Sequence, residues 1–175
     1  MSGSNRRLFL LRHAEAARPP AIHDHERPLS AVGQTDAASM GIYMARAGLV
    51  PDFALVSTSA RTRETWALVQ KSLPEVVPAV FESRIYESGP DDILTVIRSA
   101  PAMEEKLIVV GHNPGMHRLA LYLVGSAQRN AYARLHADYP PGSLAVIDFD
   151  VDSWSAIGEQ QGVLERYATP ASQSE

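Results

Sequence analysis

The sequence has no cysteine among its 175 residues. That excludes disulfides, a thiolate nucleophile and zinc held by cysteines. It also lacks a basic excess: 16 Lys and Arg stand against 20 Asp and Glu, a formal charge of −4. A nucleic-acid partner is not expected, because binding a phosphate backbone needs a clustered basic surface. No apolar run approaches the roughly 20 residues that span a bilayer, so a membrane is not an expected partner either. Near the start, Arg6 and Arg7 are followed by four apolar residues, too few for the core of a secretory signal. The expected location is the cytoplasm. With no internal repeat and no inter-domain linker, residues 1–175 read as one domain whose polar ends, Met1–Asn5 and Thr169–Glu175, are expected to fray.

Between those ends, short apolar runs alternate with helical patterns. "RLFLL" (7–11) is a continuous run, as expected of a strand buried on both faces. Ser30 is placed to cap a helix over about 31–47, with Val32, Met40, Ile42, Met44 and Ala47 available for its inner face and Gly48 past its end. "DFALVST" (52–58) predicts a strand, followed by a helix at about 60–72 with Trp66, Leu68 and Val69 in the core. "VVPAVF" (76–81) is weakly extended, and Pro78 suits an edge. "SGPD" (88–91) has the capping spacing of a helix that runs through Ile97. "KLIVVG" (106–111) is the clearest strand, and 113–125 predicts a helix capped by Asn113 and closed by Gly125. "SLAVIDF" (143–149) and "WSAI" (154–157) resemble a terminal hairpin. The alternation predicts an α/β domain of three layers with a mixed sheet.

Three strand ends carry chemistry. The first ends in Arg12-His13, the second runs into "STSARTRET" (57–65), and the strand at 106–111 ends in Gly111-His112-Asn113. In open α/β sheets ligands gather beyond the carboxyl ends of the strands. If these strands are parallel neighbours, two histidines and one or two arginines meet there. An arginine fork suits phosphate oxygens, and an imidazole can attack phosphorus through one nitrogen if the other is held as a donor. Arg63 is left out, because two residues beyond Arg61 it points about 200° around the helix.

"LRHAEA", "STSARTRETW" and "VVGHNPG", in this order, resemble the histidine phosphatase (phosphoglycerate mutase-like) superfamily. The short chain and "ERPLSAVGQTDA" (26–37) are most similar to its small bacterial phosphohistidine phosphatases. The resemblance covers about residues 6–157. It implies an α/β/α sandwich around a six-stranded mixed sheet with one strand antiparallel to the rest. It also implies His13 as nucleophile, Arg12 and Arg61 as phosphate clamps within a Ser57, Arg61, Thr65 pattern, and His112 as the second pocket histidine. Ala14 stands where the superfamily commonly has glycine. Cofactor and metal are expected to be absent.

The proton donor is open. Glu87 in "RIYESGPDD" (84–92) ranks first and Asp24 second, and imidazole as a leaving group needs little help. "HDHE" (23–26) reads as a polar rim, with His25 and Arg27 within reach of substrate, and not as a metal site. His117 and His136 have no expected role in the chemistry. Loops 14–29 and 126–142 are expected to set selectivity. The leading function is a phosphatase acting on phosphohistidine in a protein or on a related small phosphorylated molecule. The rivals are a phosphomonoesterase or mutase for phosphorylated metabolites and a phosphate-binding pseudo-phosphatase. Neutral His13 paired with charged His112 predicts a bell-shaped pH dependence.

Overall fold

A computed structural model describes residues 5–173. In chain order its elements are β1 (Asn5–Arg12), α1 (Ala31–Arg46), β2 (Phe53–Ser57), α2 (Ala60–Gln70), β3 (Ala79–Glu82), α3 (Pro90–Arg98), β4 (Lys106–Gly111), α4 (Gly115–Leu123), β5 (Val124–Ala127), α5 (Arg129–Ala137), β6 (Leu144–Asp150) and β7 (Gly162–Ala168). The strands form one sheet in the order β3-β2-β4-β1-β6-β7-β5. β6 pairs antiparallel with β1 and with β7, and every other pairing is parallel. One strand therefore opposes the rest, as the resemblance implies, but the sheet has seven strands and not six.

Alternation along the central strands creates two cores. Phe9, Leu11, Val56, Ile108 and Val110 face Met40 and Met44 of α1 and Trp66 and Val69 of α2. Leu8, Leu10, Leu55, Leu107 and Val109 face α3, α4 and α5 on the other side. A strand covered on both faces has no use for a polar residue, which is why 8–11 and 107–111 read as unbroken apolar runs. Among the described residues no helix is long and apolar enough to cross a membrane.

Several expectations need correction. The hairpin partner of β6 is β7, not 154–157, where Trp154–Ala156 form a single 3-10 turn with the Trp154 ring buried. β7 alternates buried and exposed residues over "GVLERYA", and its charged side chains hide it from a search for apolar runs. Gly125 does not end a helix; it lies in β5, a four-residue edge strand paired with β7. The stretch after it, expected to be irregular, holds α5. Ser88 does not cap α3: its hydroxyl donates to the Ile85 carbonyl, and Gly89 occupies the cap. Val32 and Ile42 are 56% and 44% exposed. Met40 and Met44 do face inward, and they are joined there by Gly33, Ala37 and Gly41, small residues that bring the helix close to its neighbours. At the ends, Asn5 opens β1 and Ala171–Gln173 form a 3-10 turn tied by Ser172 to Thr169, while residues 1–4 and 174–175 lie outside the described residues.

Gly41 shows how tight that approach is. A Cβ there would stand 2.7 Å from the Val69 carbonyl oxygen in α2. Inside a helix, Gly to Ala ordinarily stabilises by about 0.5–1 kcal/mol. Here the clash is with backbone, so Gly41→Ala is expected to destabilise the protein by about 1–2 kcal/mol, read as a lowered urea midpoint.

Candidate active site

The sheet register brings the three strand ends together. Arg12 of β1 pairs with Gly111 of β4, and Val56 of β2 pairs with Val110. The residues just beyond, His13, Ser57 and His112, therefore emerge side by side at the carboxyl edge. The His13 and His112 rings lie 5.3 Å apart between centroids. Each is only 8% exposed.

His13 is fixed from several directions. Its backbone N–H donates to the Gly111 carbonyl, and its carbonyl accepts from Gly142, which adopts a left-handed conformation. Its Nδ1 lies 2.7 Å from the Ala14 carbonyl. A carbonyl only accepts, so Nδ1 carries the proton and the lone pair resides on Nε2. The Ala14 methyl is fully buried against Leu29 and Ala37, which accounts for alanine being accommodated at that turn.

The Ser57, Arg61, Thr65 spacing now has a physical meaning. Ser57 Oγ meets His112 Nε2 at 2.7 Å. Thr65 Oγ1 accepts from the Ala14 N–H at 3.1 Å and donates to the Arg61 carbonyl. Arg61, one turn below Thr65, is 6% exposed and donates from Nη1 to the Asp24 carbonyl and from Nη2 to Asp24 Oδ2. Arg12 donates from Nη1 to the Tyr139 carbonyl at 2.9 Å. Among the described residues, buried Arg12 Nε and His112 Nδ1 have no hydrogen-bond partner.

Loop 14–29 closes one side. Asp24 Oδ2 also accepts from the Tyr86 hydroxyl at 2.7 Å, and its Oδ1 accepts from Arg27. His25 meets Thr58 Oγ1 at 2.9 Å and sets its ring edge-on to Tyr86, which is in turn edge-on to His112. Tyr86 is the cluster member that sequence reasoning missed; its only signal was a place beside Glu87. Glu87 itself is exposed and lines a hollow with Arg84, Tyr86, Asp92 and Thr95, without a hydrogen bond to the cluster. His23 is exposed and stands outside these contacts. Arg63 is exposed and lies over the Phe81 ring. His117 binds the Leu135 carbonyl, and His136 lies beside Tyr132 on α5.

Electrostatics divide these groups. Burial pushes His13 down to about 4, helped by Arg61 and Arg12 and opposed by the Ala14 carbonyl. Burial likewise pushes His112 down to about 3, with His13 and Arg61 adding to the effect. Asp24 goes the other way: the Tyr86 hydroxyl, Arg27 and Arg61 hold it far below the usual carboxylate range. The expectation of a charged His112 is therefore revised, because both imidazoles are neutral near pH 7. With the Ser57 hydroxyl as donor to Nε2, the His112 proton lies on Nδ1, and the ring can then donate to an oxyanion without a net charge.

Both histidines are depressed, so between each folded value and 6.5 the unfolded chain binds more protons and stability falls as pH drops through that window. Nitrogen-15 imidazole spectra are expected to show His13 as the Nδ1–H tautomer. Both rings should still be neutral at pH 5, and inorganic phosphate should move both titrations upward. A ring that titrates near 6.5 in the free protein would contradict the geometry.

No family model matches the chain. Among curated proteins, Rv1276c of Mycobacterium tuberculosis, an uncharacterized protein, is 32% identical over 140 residues, 78% of this chain and 85% of that protein. Among solved structures, the fold is similar to two proteins provisionally named as the phosphohistidine phosphatase SixA. The one from Nakamurella multipartitia is 28% identical with a TM-score of 0.81, covering 95% of this chain and 96% of that one. The one from Agrobacterium tumefaciens is also 28% identical, with a TM-score of 0.80 over 94% of this chain and 98% of that one. With the fold and 28% sequence identity shared over nearly the whole chain, the chain belongs to the histidine phosphatase superfamily.

Proposed function

We propose that the protein hydrolyses phosphohistidine on a protein substrate, without a metal, through a phosphohistidine intermediate on His13. The observation that carries this reading is the free Nε2 of a buried, neutral His13 among Arg12, Arg61 and His112. The unpartnered Arg12 Nε and His112 Nδ1 are donors that an oxyanion would satisfy. In the first step Nε2 attacks phosphorus, the bond from phosphorus to the substrate imidazole breaks, and the leaving nitrogen keeps the electron pair and takes a proton from solvent. In the second, water attacks phospho-His13, releasing inorganic phosphate and returning the lone pair to Nε2. The arginines hold the equatorial oxygens, and His112 Nδ1–H donates to one of them.

Proton supply favours phosphoramidates over alkyl esters. An alkoxide needs an acid when it leaves, and Asp24 is held too firmly as a carboxylate to serve. Glu87 is the carboxyl group proposed for that task in the rival monoesterase reading, and it is exposed, in a hollow beside Arg84 and Asp92. A pseudo-phosphatase has no need of a neutral imidazole nitrogen kept free.

The discriminating measurement is a panel of phosphohistidine peptides and alkyl phosphates. Phosphohistidine is expected to turn over faster, an acid-labile phosphoenzyme is expected on rapid quenching, and His13→Ala is expected to lose about a thousandfold or more. Glu87→Gln should leave phosphohistidine turnover unchanged. Loss of alkyl phosphate turnover alone on that substitution, with alkyl phosphates the better substrates, would establish the monoesterase. Phosphate binding without turnover of any substrate would establish the binder.

A further inference from the structure

The Tyr139 carbonyl is a shared acceptor. Arg12 Nη1 and Asn113 Nδ2 both donate to it, each at 2.9 Å. A carbonyl oxygen has two lone pairs, so these two donors saturate it. The carbonyl is itself immobile. The Tyr139 ring is fully buried, its hydroxyl donates to the Leu10 carbonyl, and it stacks on His117 at 26° between planes. Asn113 is equally constrained, because its Oδ1 accepts from the His117 N–H in the first turn of α4. It also follows His112 directly, so the ends of β1 and β4 are tied to one oxygen.

This matters for Arg12 because a guanidinium has two edges that can take an oxyanion in parallel, Nη1 with Nη2 and Nε with Nη2. Tyr139 takes one of the two Nη1 hydrogens, while Nε is the buried nitrogen without a protein partner, so the Nε/Nη2 edge is the one whose donors are left uncommitted. We propose that Asn113 is a positioning residue: by occupying one lone pair of the Tyr139 carbonyl it limits Arg12 to the other, and so fixes the side-on edge of Arg12 toward the phosphoryl group. The inference rests on reading Arg12 as a phosphate clamp. Sequence reasoning made Asn113 the cap of α4; Pro114 occupies that position instead, and Asn113 Oδ1 accepts from the His117 N–H from one residue before it. The amide nitrogen has a second task that an N-cap does not require.

The two tasks can be separated. Asn113→Ser keeps a short oxygen near the start of α4 but does not reach the Tyr139 carbonyl. Binding of inorganic phosphate is measured by calorimetry for the wild type, Asn113→Ser, Arg12→Ala and the double variant. Asn113→Ser is expected to weaken binding about tenfold, and the double variant should bind no more weakly than Arg12→Ala alone. Multiplying effects, or unchanged binding in Asn113→Ser, would overturn the positioning role. Unchanged binding in Arg12→Ala would instead overturn the clamp on which it rests. Should the serine variant unfold, Asn113→Thr likewise keeps a short hydroxyl oxygen without the amide donor or an added charge, and the same cycle is read with it.

Discussion

The hydrogen bond from His13 Nδ1 to the Ala14 carbonyl decides what the rest of the site can do. An imidazole with its proton on Nε2 would present a donor to the pocket, and the surrounding arginines would then have nothing to deliver a phosphoryl group to. Fixing the proton on Nδ1 leaves the lone pair on Nε2, the atom that the proposed reaction uses as its nucleophile, and burial keeps it unprotonated. The remaining contacts hold that short loop in place: Gly111 and Gly142 pin the His13 backbone, and Thr65 pins the N–H of Ala14. A turn held at three backbone points keeps the Ala14 carbonyl within reach of Nδ1, so the imidazole can turn away only by giving up that hydrogen bond.

The division of charge follows from the same burial. Arginines stay charged wherever they sit, whereas histidines yield to desolvation. Four basic side chains in one crevice therefore resolve into two permanent cations and two neutral rings. Asp24 balances one of the cations: its carbonyl and carboxylate both engage Arg61, and Tyr86 and Arg27 hold the carboxylate in turn. Loop 14–29 is thus joined to the site by ionic and aromatic contacts, without a metal-binding cluster. Among the described residues no three His, Asp or Glu side chains gather as one.

How much of this was legible varied with the physical signal. The central strands were plain because burial on both faces forbids polar residues, and the helix over 31–47 was plain because Ser30 does cap it, accepting from Gly33. The site's four basic residues were legible because each sits within a residue or a turn of a strand end. β7 and α5 were not, since β7 is half exposed and α5 buries only Leu135 among its own residues. Val32 and Ile42 misled because apolar character was weighed above close approach, which favoured Gly33, Ala37 and Gly41. Tyr86 and Tyr139 were invisible for another reason. Their parts depend on a hydroxyl or a carbonyl meeting a residue 62 or 127 positions away, and no local pattern encodes that.

Those long-range contacts bear on why the motif residues are spaced as they are. Ser57, Arg61 and Thr65 lie four apart, so from β2 into α2 they present one after another to the same side. Each reaches a different chain segment: Ser57 the second histidine, Arg61 the loop at Asp24, Thr65 the turn at Ala14. A shift of one residue in this stretch would turn the arginine about 100° around the helix and lose both the hydroxyl contact to His112 and the anchor of Ala14. The spacing therefore encodes the support of two imidazoles as much as the position of one cation, and a lone arginine at a strand end carries far less information than the three residues together.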